Sequence, residues 1–278
     1  MGREGITLAV GTETRLVAPG PVAALWRARE LLALLVARDL KARYKRSVLG
    51  MLWTLLGPLL QMAVYTLVFS AIVRVRVPAY ALYVLSGLLP WGLVSSATLA
   101  STWALLGNQH LIRKVAAPQA VYPLSLVGGK ALDLVLSLAP LALVAWIEGR
   151  PPSPSWLFLP VAVALAVAFT AGLSLAAASL TVFFRDLRHL AEIGFQVWFY
   201  LTPVLYPPSF LAALDPRLRA VLAANPAAPL LRCFQAPIHE GRLPAAGEIA
   251  AAAAAAALSL GAGLAAFVRA EDRHLHWF

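Results

Sequence analysis

The chain has 278 residues, 60% hydrophobic and only 13% charged, with a mean hydropathy of +0.76. A soluble domain carries about 25% charged residues, so these figures exclude an ordinary soluble protein and point to an integral membrane protein with little room for a soluble domain. The net charge of +10 would suit nucleic acid, but the basic residues are spread over short loops, where positive-inside topology and anionic lipid explain them better.

Residues 1–23 mix polar residues, Gly and Pro without a strong period and read as a loose cytoplasmic arm. Residues 24–47 read as an interfacial amphipathic helix. Leu32, Val36, Leu40 and Tyr44 recur on one face, and Arg27, Glu30, Arg38, Lys41 and Lys45 fall on another. A basic amphipathic helix of this kind lies in the headgroup plane. Arg38, Lys41, Arg43, Lys45 and Arg46 crowd the entrance to residues 48–73, a run without charge. About 20 apolar residues cross a hydrocarbon core of roughly 30 Å. This run is therefore the first span, with the basic cluster at its cytoplasmic end. It starts too late, after too much polar sequence, for a cleaved signal peptide.

The turn at residues 74–78 is expected outside, followed by a second span over about 80–106 that contains Pro90 and Gly92. Residues 107–119, with His110, Arg113 and Lys114, form a charged interruption of one or two helical turns on the cytoplasmic side. The third span covers about 124–147 and begins with Gly128, Gly129, Lys130 and Asp133. The Pro/Ser-rich loop at 149–155 is a turn. A fourth span, 156–182, is rich in Ala and Gly, which permit close helix contacts.

Residues 183–189, with Arg185 and Arg188, return the chain to the cytoplasm. The fifth span, about 190–205, is short and aromatic. Residues 207–244 are too polar and Pro-rich to span, yet carry apolar clusters. Two short helices broken at Asn225-Pro226, half-inserted at the outer surface as re-entrant pieces, fit them. A sixth, Ala-rich span covers about 249–268, and residues 269–278 close the chain in the cytoplasm. This places 16 of the 23 Lys and Arg inside and seven outside, as six spans with both ends cytoplasmic require. The expected fold class is thus an all-α membrane protein with six transmembrane helices over residues 48–268.

The chemistry of an enzyme is missing from this pattern. No GxxxxGK[ST] loop occurs, and Gly128-Gly129 suits helix packing better than phosphate binding. The five histidines are isolated or terminal, so no metal site is expected, and no nucleophile stands beside a base. The single cysteine, Cys233, forbids an internal disulfide. Lys130 and Asp133, at i and i+3, can pair on one helix face, and a structural pair near the cytoplasmic end is the simpler reading. Asp133 is the only carboxylate inside an expected span apart from Glu192 at the edge of the fifth. This argues against ion coupling and for an external energy source. Aromatic residues collect on the first span (Trp53, Tyr65, Phe69) and the fifth (Phe195, Trp198, Phe199, Tyr200). Tyr65 and Phe69 lie deeper than an interfacial belt requires, so they either pack or offer faces on which sugar rings stack.

Residues 38–62, RDLKARYKRSVLGMLWTLLGPLLQM, resemble the opening of the polysaccharide-exporting ABC-2 permeases, the membrane subunits of O-antigen and teichoic-acid ABC transporters. Residues 108–124 resemble that family's coupling segment, FRDLRH its second cytoplasmic loop, and residues 198–210 and 225–235 its fifth-span end and external gate helices. The resemblance implies a homodimer in the bacterial cytoplasmic membrane, bound to two copies of a separate ATPase that holds ATP and Mg, with no cofactor in this chain. It implies a lipid-linked polysaccharide of the undecaprenyl-pyrophosphate type, whose head group Arg38, Lys41, Arg43, Lys45 and Arg46 would meet. The aromatic residues of spans one and five would line a channel. His110, Arg113, Lys114, Arg185 and Arg188 would couple to the ATPase, and Tyr206, Phe210, Asn225, Pro226 and Phe234 would form the external gate. The rival readings are an ABC-2 exporter of a drug or small lipid, and a membrane partner of glycan synthesis that transports nothing.

Overall fold

The computed structural model describes residues 25–44, 50, 52–72, 77–114, 117–207, 210 and 215–277, and all regular structure among them is helical. In chain order the α-helices are α1 (Arg29–Tyr44), α2 (Leu52–Thr66, extended by the π-helical turns Leu67–Ile72), α3 (Tyr80–Ser101), α4 (Gln109–Ile112), α5 (Val121–Ile147), α6 (Leu159–Phe183), α7 (Leu187–Leu201), α8 (Pro216–Ala223), α9 (Ala227–Gln235) and α10 (Ala246–Trp277).

Five helical segments among the described residues are long and apolar enough to cross a membrane: Leu52–Ser70, Tyr80–Ser101, Val121–Ile147, Pro154–Phe183 and Ala246–Glu271. The chain is a multi-pass helical membrane protein. The segment expected as a further span, residues 190–205, differs: it contributes only α7, 15 residues or about 22 Å of helix, less than a bilayer core. Thr202 is already extended and Pro203 follows, so the helix stops there.

α3 is the central helix. A helix apolar on every side can be satisfied only by burial on every side, and Leu82, Leu85, Leu89, Leu93, Val94 and Ala97 are all buried in one core with α5, α6 and α9. α6 and α10 form the most extensive helix pair. Gly172 and Gly263 let their backbones touch: a Cβ on either would overlap backbone atoms of the other helix. Ser259 Oγ adds a hydrogen bond to Phe169 O at 2.8 Å.

α1 docks on the start of α5. The face it buries is rotated from the one expected. Leu35, 4% exposed, is the anchor, with Leu25, Ala28, Leu31 and Leu32 beside it. Val36 closes over Gly128, where an added Cβ would lie 3.1 Å from its Cγ2. Positions 28, 31, 32 and 35 follow the i, i+3, i+4, i+7 rule that a strict four-residue count misses.

At the opposite end the loops are tied into one cap. Gly149, with φ of 71°, ends α5, and Arg150 N donates back to Ala145 O at 2.8 Å. The Arg150 guanidinium donates to His239 O, Ser155 Oγ to Pro237 O at 2.9 Å, and His239 Nε2 meets Pro78 O at 2.8 Å. Two short helices broken at Asn225-Pro226 are present as α8 and α9. α9 packs against α3, α6 and α10 and buries Leu230, Leu231, Cys233 and Phe234.

Candidate functional site

α2, α3, α5 and α7 surround a cleft of about 700 Å³. Each contributes one helical stripe. Thr54, Pro58, Gln61 and Tyr65 come from α2, and Lys130, Asp133, Leu134 and Ser137 from α5; Glu192, Phe195, Gln196, Phe199 and Tyr200 come from α7. The α7 set runs i, i+3, i+4, i+7, i+8, the spacing of a single face. Neither α2 nor α7 buries a residue fully, and Trp53 and Tyr200 are 54% and 58% exposed, so this side of the cleft is open.

Five of the seven expected channel aromatics line this cleft: Trp53, Tyr65, Phe195, Phe199 and Tyr200. Two do not. Phe69 packs beside Tyr80, their ring centroids 6.4 Å apart. Trp198 turns inward, with its ring 5.5 Å from Trp91, and its Nε1–H donates to Asn225 Oδ1 at 2.9 Å. The sequence reading missed the polar members of the wall, Gln61, Ser95, Ser96, Ser137 and Gln196, and the ring of Trp91. The signal was there for the amides: a Gln on the aromatic stripe of an apolar helix has no reason to face lipid.

Among the described residues, the charged members of the cleft lining are Lys130, Asp133 and Glu192. Lys130 Nζ and Asp133 Oδ2 are 3.3 Å apart, the i, i+3 pair that the sequence allowed, and it stands on the cleft wall. Glu192 accepts from Arg188 Nε at 3.4 Å. Ser95, Ser96 and Ser137 each donate their hydroxyl to the carbonyl four residues earlier, at 2.9, 2.5 and 2.8 Å. Their oxygens therefore face the cleft as acceptors. Aromatic faces opposite hydrogen-bonding groups can hold a sugar ring by its apolar face and its hydroxyls. Among the described residues no group of His, Cys, Asp and Glu is placed to hold a metal ion.

Of the basic cluster, Arg38 is exposed and paired with Asp39 at 2.9 Å, and Lys41 is exposed. Arg43 belongs to α1, but its side chain, like the whole of Lys45 and Arg46, lies outside the described residues. Gly50 lines the cleft a few residues further on.

At the other elements expected to be cytoplasmic, His110, Arg113 and Lys114 are exposed around the buried Ile112. Arg185 is exposed, and the Arg188 guanidinium lies 5.9 Å from the centroid of the Trp103 ring. Gln119, at the end of the segment expected to couple to an ATPase, is fixed from the C-terminal helix. Its backbone N–H donates to Glu271 Oε1 at 3.1 Å, and its side chain meets His274 Nδ1 at 3.0 Å. His274 Nε2 is 3.0 Å from Ser179 Oγ on α6. Burial pushes the His274 imidazole down to about 4.

The residues expected at the external gate divide. Tyr206 donates to Tyr200 O at 3.2 Å and its own carbonyl accepts from Tyr83 at 2.7 Å; Phe210 and Pro226 are exposed. Asn225 is a buried node: Oδ1 accepts from Trp198 and from Ala227 N, while Nδ2 donates to Leu201 O and Thr202 Oγ1. Phe234, 1% exposed, is a core residue. Beyond them, Arg232 pairs with Glu240 at 2.6 Å and Glu248 at 3.0 Å, and Arg242 with the same two carboxylates at 2.6 and 3.2 Å. Burial works to raise the Glu240 carboxyl, but Arg232 and Arg242 hold it below the ordinary range.

Comparison with known proteins gives the chain's family. The chain is 37% identical over 243 residues to the O-antigen export system permease protein RfbA of Myxococcus xanthus, a match covering 87% of this chain and 93% of that protein. It is 33% identical over 203 residues to the O-antigen export system permease protein RfbA of Klebsiella pneumoniae, covering 73% and 77%. The model of the ABC-2 type transporter family matches residues 30–238. With that span matched and relatives of this identity aligned over most of its length, the chain belongs to the ABC-2 transporter family of membrane proteins.

Proposed function

We propose that this chain is the membrane-spanning permease subunit of an ABC transporter that exports a lipid-linked, undecaprenyl-pyrophosphate type polysaccharide such as O-antigen across the bacterial cytoplasmic membrane. The observation that carries the reading is the cleft that α2 and α7 form with α3 and α5: aromatic faces and amides on α2 and α7, serine hydroxyl oxygens opposite them on α3 and α5, on a chain similar to O-antigen export permeases. Such a surface binds each sugar weakly and without strict register, which lets a polymer slide.

In this reading two copies face each other and close their clefts into one passage. α7, too short to cross alone, stands beside the cap built on α9. Two copies of a separate ATPase hydrolyse ATP with Mg and dock on His110, Arg113, Lys114, Arg185 and Arg188, and both termini are cytoplasmic. The basic end of α1 meets the pyrophosphate at the inner headgroup level, where the charge need not be desolvated. Once the head is engaged, the glycan follows through the cleft.

The test is reconstitution of the chain with its partner ATPase in proteoliposomes carrying an undecaprenyl-pyrophosphate-linked mannan. ATP-dependent appearance of the mannan on the far side supports the reading. ATP hydrolysis without movement of the mannan overturns it. Arg113→Glu with Lys114→Glu is expected to lower ATPase co-purification, and wild-type yield would remove these residues from the docking surface.

A further inference from the structure

The cleft's charge and hydrogen-bonding character say what kind of polymer it suits. Among the described residues its lining holds one cation, Lys130, and two carboxylates, Asp133 and Glu192, the second of them paired with Arg188 at 3.4 Å. Lys130 has Asp133 at 3.3 Å on its own helix, so its charge is compensated before any ligand arrives. The three serine hydroxyls spend their protons on α3 and α5 carbonyls and present lone pairs to the cleft. The described wall thus pairs its charges and offers serine oxygens as acceptors beside the amides of Gln61 and Gln196, with no excess of positive charge.

We infer that this cleft is built for an uncharged, hydroxyl-rich glycan and discriminates against polyanionic chains such as uronate or polyol-phosphate polymers. The inference rests on the export reading above and specifies its substrate class. Passages for anions and phosphates use rings of Arg or Lys to replace lost hydration. A polyanion here would give up water at every repeat and meet, among the described lining residues, only neutral amides and hydroxyls and a lysine already paired with a carboxylate. Sugar hydroxyls meet the same groups as donors, and their ring faces meet Tyr65, Phe195 and Phe199. The single pyrophosphate of the lipid is a different problem, because it is met at the membrane surface by the basic end of α1 and does not recur along the chain. Of the two branches that the sequence resemblance left open, this favours neutral O-antigen over teichoic acid.

The test uses the complete complex, chain and ATPase, in proteoliposomes with two undecaprenyl-pyrophosphate-linked probes of equal length, a neutral mannan and a chain with one glucuronate per repeat. The acidic chain is expected to cross at least about tenfold more slowly, the ratio set by roughly 1.4 kcal/mol of added barrier. Equal rates overturn the inference and leave export intact. Movement of neither probe overturns export, and the inference falls with it. Asp133→Asn, which takes away the carboxylate facing Lys130 and makes the wall less negative, is expected to narrow the ratio at unchanged complex yield. A ratio unmoved by both Asp133→Asn and Glu192→Gln would show that wall charge does not set the selectivity.

Discussion

Gln119 and His274, 155 residues apart in sequence, meet at 3.0 Å between Oε1 and Nδ1. The direction of that bond can be worked out. The Gln119 amide nitrogen donates to Glu271 O at 3.3 Å, so its oxygen accepts, and His274 carries its proton on Nδ1. Nε2 is then the acceptor for the Ser179 hydroxyl. A neutral imidazole is the form that satisfies all three groups, and Phe183 and Phe267 pack their rings around it. The network joins the segment that precedes α5, the end of α6 and the last turns of α10.

This geometry fixes a pH dependence. The folded-state value of about 4 lies below the ordinary histidine value of 6.5, so the unfolded chain binds more protons between the two. Stability from this site is complete above about pH 6.5 and falls as pH drops toward 4. The thermal midpoint of the detergent-purified protein is expected to fall between pH 7 and pH 5, and His274→Gln is expected to flatten that change. His274→Ala should cost about 1–3 kcal/mol at pH 7 by leaving Gln119 and Ser179 without their partner. A variant with the wild-type midpoint would show that the network contributes nothing.

The contact between α6 and α10 predicts opposite outcomes for glycines on one helix. Gly263→Ala places a methyl group on the Gly172 carbonyl, and Gly172→Ala places one on the Ser259 backbone. Backbone cannot rotate away, so either change is expected to cost about 3 kcal/mol or more and to lower folded yield. Gly261→Ala meets nothing within 4 Å and is expected to stabilise by up to about 1 kcal/mol through helix propensity. Thermal unfolding of the three variants separates close packing from a general intolerance of α10 to substitution.

The contrast between Trp198 and its neighbours marks the limit of what the sequence made legible. Hydropathy located the long helices, because an uncharged run of about 20 apolar residues is stable in few settings besides a bilayer. It did not set the length of α7 as a separate element, since apolar residues continue past the point where Thr202-Pro203 stops the helix. It collected aromatics without telling a wall from a core. Phe195, Phe199 and Tyr200 face the cleft, while Trp198 faces inward because Asn225, 27 residues away, accepts its indole proton. Only tertiary placement reveals that partner. Lys130 and Asp133 were legible as a pair from their spacing, but their position on the cleft wall depends on how α5 is turned against α3.

The same contrast gives a functional prediction. Tyr65→Ala and Phe199→Ala remove cleft faces and are expected to reduce glycan export several-fold while leaving complex yield and the thermal midpoint near wild type. Trp198→Ala removes a packed ring and its hydrogen bond and is expected to lose stability by about 3–5 kcal/mol. Export and unfolding measured on the same preparations check both. Equal stability losses in all three would mean that Tyr65 and Phe199 are core residues and that the cleft is not a binding surface.

The paired arginines and glutamates at the cap beside α9 predict a second, more acidic transition. Glu240 is held below the ordinary carboxylate range against the pull of its own burial, because Arg232 and Arg242 both donate to it. A depressed carboxyl contributes stability that is present above its unfolded-state value of about 4.3 and is lost as pH falls through the lower folded value. The cap is therefore expected to hold at pH 5, where the His274 site is already weakening, and to loosen only below about pH 4. Limited proteolysis between α9 and α10 at stepped pH reports on the cap alone. Glu240→Gln should bring cleavage there at pH 5, and resistance to cleavage at pH 5 in that variant would show that the ion pairs do not hold the cap closed.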